Sequence, residues 1–142
     1  MELKQAFETV MSGTTNMALA TSVNGKPNVR VVTYGYDKTT PSTVYFTTFK
    51  GNQKISEFEE NPHVAIIPLP ESPDAPAQVR IHGQVAKSGK SLADIAPLIL
   101  KNAPFFAETL AQGGDMLVPY EIYFNQAAVT IGMQDAQILL LP

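Results

Sequence analysis

The chain has no cysteine and no tryptophan in 142 residues, and only two histidines. Without cysteine there can be no disulfide, no thiolate metal ligand and no sulfur nucleophile. The histidines, His63 and His82, have no carboxylates at ligand-like spacing, so no metal site is expected. No G-x-S-x-G motif is present to support Ser/His/Asp catalysis. Charged residues make up only 16% of the chain and leave a net charge of −3, which argues against a broad nucleic-acid surface. No apolar run approaches the ~20 residues that span a bilayer, and the N-terminus lacks the pattern of a signal peptide. A cytoplasmic protein without membrane or nucleic-acid partners is the expectation.

What is present is ordinary for a folded protein: 44% hydrophobic residues, with eleven prolines and nine glycines scattered through it. That scatter predicts many short elements in one domain spanning residues 1–142. Leu3, Ala6, Phe7, Val10 and Met11 have the spacing of an amphipathic helix over Glu2 to Met11, with Gly13 at the place of a C-terminal cap. Asn16 to Val23 reads as a strand, Asn24-Gly25 as a hairpin turn, and Asn28 to Tyr36 as a second strand. A turn over Asp37 to Ser42 leads to a third strand ending at Phe49, which predicts an antiparallel meander. His63 to Leu69 and Gln78 to Ala86 are further strands, and Gly83 inside the latter points to a bulge or a close backbone approach. Ser91 and Asp94 form a capping box before a helix interrupted by Pro97, and Pro104 to Ala111 gives another short helix. Val118 to Phe124, Ala127 to Gly132 and the apolar tail Ile138 to Leu141 complete the strand material. The pattern predicts a mainly β fold with short helices (α+β), a six-stranded antiparallel split barrel, since closure removes sheet edges.

The stretch Thr43 to Pro62, TVYFTTFKGNQKISEFEENP, has the residues of an anion site. A strand runs into a basic turn, and a short helix follows, capped by Asn52 and stopped by Asn61-Pro62. A helix N-terminus carries partial positive charge, and here Lys50, Lys54, Thr47 and Thr48 lie beside it. If the second and third strands are neighbours, Arg30 reaches the same anion from the side. An arginine fork, a lysine and hydroxyls suit a phosphate monoester.

The order of these pieces resembles the FMN-binding split barrels related to pyridoxamine 5′-phosphate oxidase. The pieces are Val29-Arg30-Val31-Val32, Tyr45-Phe46-Thr47-Thr48, Asn52-Gln53-Lys54, Glu59-Glu60-Asn61-Pro62 and the strand Gln78-Val79 through Gly83. The resemblance implies a homodimer with FMN in a groove at the subunit interface. It places Arg30 and Lys54 on the FMN phosphate, with Thr48, Lys50, Asn52 and Gln53 close by. Backbone of Val31, Val32 and Thr33 would lie along the isoalloxazine ring, Phe46 and Thr47 below it, and Gln78 would reach the flavin from the partner or the barrel rim. A flavin-dependent oxidoreductase of a small substrate is the implied activity, with an electron carrier or stress-related flavin holder as the alternative. No catalytic side chain stands out. The true oxidase ends in a segment rich in Trp, Arg and His that grips its substrate, whereas Thr130 to Pro142 here contains neither Arg nor His. Pyridoxamine phosphate oxidation is therefore not expected.

Overall fold

A computed structural model describes residues 2–142. In chain order its elements are α1 (Leu3–Gly13), β1 (Asn16–Val23), β2 (Lys26–Thr33), β3 (Gly35–Tyr36), β4 (Thr43–Phe49), α2 (Gln53–Glu60), β5 (His63–Leu69), β6 (Ala77–Lys87), α3 (Leu92–Leu100), α4 (Phe106–Gly113), β7 (Leu117–Tyr123), β8 (Gln126–Ile131) and β9 (Gln137–Leu140).

The strands form one nine-stranded antiparallel sheet in the order β2-β1-β5-β6-β7-β4-β3, with β8 pairing both β6 and β9. β2 opens this order and β3 ends it, yet only Tyr34 separates them in the chain, so the sheet curls back on itself as a split barrel. Tyr34 is 1% exposed at that corner, and its hydroxyl donates to the Met11 carbonyl of α1 at 2.8 Å. The count exceeds the expected six: the strand segments read from the sequence number seven besides the apolar tail, the second of them breaks at this corner, and the tail pairs with β8 as an edge strand, which gives nine. The expected meander is also corrected. β2 pairs with β1, only the two residues of β3 reach β4, and the main partner of β4 is β7.

The barrel interior is filled by alternate residues of its strands, among them Met17, Leu19, Val44, Phe46, Ile66, Ile81 and Ile122, and α1 seals it with Ala6, Phe7, Val10 and Met11. α1 runs through Gly13 and ends at extended Thr14, so it does not use the left-handed glycine cap expected of it. A second cluster, built from Tyr45, Ile95, Ile99, Phe106 and Leu117, packs α3 and α4 against the outside of β4 and β7. The capping box of Ser91 and Asp94 opens α3 as expected, and Pro97 is accommodated inside that helix. Among the described residues no helix is long and apolar enough to cross a membrane.

β6 is the longest strand, and it bends to serve β5, β7 and β8 at once. Gly83 lies where it turns, and a Cβ there would stand 2.7 Å from the Tyr123 carbonyl oxygen. That neighbour is backbone and cannot swing aside. Gly83→Ala is therefore expected to cost about 1–3 kcal/mol in denaturant unfolding; an unchanged midpoint would show that β6 relaxes freely there.

Candidate functional site

The end of β4 and the start of α2 form one wall of a groove of about 220 Å³, lined by Val31, Val32, Thr33, Thr47, Thr48, Phe49, Asn52, Lys54 and residues of the α4 region. α2 begins where expected because the Asn52 side chain accepts the Lys54 N–H at 2.9 Å, and it ends at Asn61, whose own N–H returns to the Glu57 carbonyl. The cap uses one N–H of the first turn, so an anion here would feel the helix field and the side chains as well as whatever donors are left over.

Two features of the groove would suit an anion. Thr48 is 3% exposed, and its hydroxyl has no hydrogen-bond partner among the described residues. A buried unpartnered hydroxyl is costly to leave so, and a phosphate oxygen would satisfy it. Lys54 is half-buried and makes no salt bridge among the described residues. Burial and, second, the charge of Arg30 pull its ammonium below the ordinary lysine range, while Glu57 opposes them. An arriving anion would relieve both pressures.

Arg30 stands beside this groove but does not line it. It pairs across the hairpin with Leu19 on β1, and not with β4. The expected approach from a neighbouring strand therefore gives way to an approach under α2. Its Nη2 donates to Glu57 Oε1 at 2.6 Å and its Nη1 to Thr21 Oγ1 at 3.0 Å. Thr21 donates to the same Glu57 oxygen at 2.7 Å, and Asn28 Nδ2 donates to Oε2 at 3.3 Å. The Thr21 hydroxyl, then Arg30 and Asn28, hold the Glu57 carboxyl below its usual range against the opposing effect of burial.

The remaining expected residues are distributed unevenly. Lys50 is exposed on the turn, with its N–H donating to the Met116 carbonyl. Gln53 is exposed and faces a separate polar cleft shared with Thr21, Ser56, Glu57 and Glu60. Phe46 is fully buried inside the barrel, stacked on Tyr120 and edge-on to Phe58, and is not part of the groove wall. Gln78 is on the outer sheet face opposite Thr130, in a small cavity of its own with Ile67 and Arg80.

The rest of the groove is formed by residues not expected from the sequence. Phe105, Phe106 and Thr109 of the α4 region, with Leu117, also line it, and Phe105 is 59% exposed. Its signal was the exposed aromatic after Pro104 at a helix start. A larger cleft of about 500 Å³ lies elsewhere, lined by both histidines with Ala20, Thr21, Ala65 and Gln84. It has no lysine or arginine in its lining, and no group of metal-ligating side chains occurs among the described residues.

Comparison with known proteins bears on the fold and the family. No curated protein matches the chain by sequence. Among solved structures, general stress protein 26 of Bacillus anthracis superposes with a TM-score of 0.74 at 19% identity, covering 99% of this chain and 100% of that one. A heme-binding protein from Mycobacterium smegmatis gives 0.76 at 15% identity, covering 99% of this chain and 58% of that one, so this chain spans little more than half of its length. An FAD-binding protein from Mesorhizobium loti gives 0.66 at 15% identity, covering 91% and 92%. At these identities the likeness is one of fold. The family described as pyridoxamine 5′-phosphate oxidase-like matches over residues 10–136, nearly the whole barrel, and the chain belongs to that family.

Proposed function

We propose that the groove holds FMN and that the protein is a flavin-dependent oxidoreductase of a small substrate. The observation that carries this reading is the buried Thr48 hydroxyl beside the half-buried Lys54 at the start of α2, the one without a hydrogen-bond partner and the other without a salt bridge among the described residues. Lys54 and Thr48 would hold the phosphate, with Arg30 behind them. The β2 backbone at Val31 to Thr33 and the exposed ring of Phe105 provide flat walls for a ring system. The bound flavin would supply the hydride or electron chemistry. The residues of the chain bind it, orient it and shield it from water.

The outer sheet face supports a homodimer. Ala18 stands between Val31 on one neighbouring strand and Ile67 on the other, and Ile138 stands opposite Ala128 farther along the sheet. Val29, Val31, Ile67 and Ile138 are each 42–64% exposed, an apolar face that a second copy would cover. Val31 also lines the groove, and Gln78 lies on this same face, where it would meet the partner's flavin. Light scattering is expected to give twice the 15.4 kDa chain mass, and Val31→Glu is expected to yield monomers with weakened FMN binding. A wild-type monomer would remove the interface from the reading.

The affinity should also depend on pH, with a sign set by the two partners. The phosphate becomes a dianion above about pH 6, which favours binding. Binding raises the lowered pKa of Lys54, so affinity is lost again as pH rises through the free lysine's value, below the ordinary lysine range. FMN titrations across pH should therefore show a maximum between these limits, and Lys54→Met should abolish the alkaline fall.

A second reading, an FMN-binding electron carrier or stress-related flavin-binding protein without its own substrate, is favoured by one observation. β9 pairs with β8 as an edge strand, and residues 130–142 hold neither an Arg nor a His with which to grip a phosphorylated substrate. Turnover of NAD(P)H by the FMN-loaded protein with an added acceptor supports the enzyme; absence of turnover with any reductant leaves the carrier. A Soret band in place of the flavin spectrum would replace FMN by heme.

A further inference from the structure

We infer that Glu57 competes with the phosphate of the cofactor for Arg30, and so makes FMN an exchangeable ligand of this protein. The inference rests on the reading of the groove as an FMN site and concerns how tightly that site holds its ligand. A phosphate site is expected to keep its guanidinium uncommitted. Here the Arg30 fork is already engaged by a carboxylate at 2.6 Å and by the Thr21 hydroxyl, and the two side chains of the ion pair are only 19% and 11% exposed. Glu57 is itself fixed by Thr21 and Asn28, so it is a built part of the site and not a surface charge that swings away.

Lys54 and Glu57 are three residues apart on α2 and share a face of that helix, with Cβ atoms about 5–6 Å apart. A phosphate on Lys54 therefore arrives next to a carboxylate, and the two anions must share one guanidinium. Either the phosphate takes Arg30 and leaves a mostly buried carboxylate short of its cation, or it does without Arg30 and feels the Glu57 charge at short range. Both outcomes weaken the hold on the phosphate end of the ligand. Neither affects the ring end. Lys26, on the cleft at the far side of Glu57, is exposed and too well solvated to offset this charge, and the exposed Glu60 beside it has the same sign as Glu57.

The test is a comparison of wild type with Glu57→Gln, titrated with FMN and with riboflavin, which lacks the phosphate. Glutamine keeps the shape and the oxygen that accepts from Arg30 and Thr21; it removes the charge and puts an amide nitrogen where Oε2 accepts from the exposed Asn28, whose own amide can turn to present its oxygen. The expected result is that the variant binds FMN about tenfold tighter or more and releases it more slowly on dilution, while riboflavin binding is unchanged. Glu57→Met, also neutral and of similar length, should give the same FMN tightening and guards against a folding defect peculiar to one variant. Equal FMN affinity in wild type and variants, weaker binding in the variants, or an equal gain for riboflavin would each overturn the inference while leaving the FMN site standing. Failure of the wild type and both variants to bind FMN at all would overturn the proposed function itself, and this inference with it.

Discussion

Lys54→Ala is expected to weaken FMN binding by about 1.5–3 kcal/mol, the range of a lost charge-assisted hydrogen bond, or roughly 10- to 150-fold in Kd. The prediction is sharp because Lys54 makes no salt bridge among the described residues and is half-buried at the groove. Its removal should leave stability nearly untouched, since it takes away a desolvated charge and no ion pair. Riboflavin binding should be unaffected. Arg30→Ala is also expected to weaken FMN binding, but it is a less clean experiment: it strands Glu57, 11% exposed, without its cation and should lower stability as well. A Lys54→Ala protein that binds FMN as the wild type does would move the phosphate elsewhere.

Phe46→Ala is expected to have the largest effect on folding, a loss of about 3–5 kcal/mol in denaturant unfolding. Phe46 is 0% exposed, its ring lies 5.8 Å from Tyr120 in a stacked arrangement and 6.0 Å from Phe58 edge-on, and it fills the barrel between β4, β7 and α2. The resemblance placed this residue below the flavin ring. The two roles predict different outcomes. A cofactor-facing Phe46 would change FMN affinity with a modest cost in stability. A core Phe46 would lower stability strongly and affect FMN only as far as the fold loosens. Phe46→Leu, which keeps most of the apolar volume, should recover much of the lost stability.

These two residues also show what was legible in the sequence. Lys54 and its helix could be placed because their determinants are local: the Asn52 cap, the helical spacing of Ile55 and Phe58 and the Asn61-Pro62 stop lie within one short stretch. The strands Asn16–Val23 and His63–Leu69 were equally legible from short apolar or alternating runs between turn residues. Phe46 was harder because β4 is covered on both faces. Val44, Tyr45 and Phe46 are all buried, so alternation gives no inner side, and only the packing of α3 and α4 over the outer face assigns one.

The ion pair of Arg30 and Glu57 was hidden for a different reason. It joins residues on β2 and α2 through the way α2 lies over β1, and no local pattern specifies that. The meander expected from the short turns makes β2 and β4 neighbours. The break at Tyr34 sends β2 and β3 to opposite ends of the strand order, and Arg30 then meets the helix instead of the strand. The apolar tail was likewise visible as strand-like material, but nothing in its own residues named β8 as its partner.

The FMN reading of the groove between β2, α2 and α4 stands or falls on whether the purified protein binds the cofactor. Titration of the purified protein with FMN, followed by flavin fluorescence and visible absorption, tests it most directly, with riboflavin as the phosphate-free control. Saturable binding of one flavin per chain is expected, with FMN preferred over riboflavin and the preference lost in Lys54→Ala. A folded protein that leaves FMN fluorescence and absorption unchanged throughout the titration would contradict it.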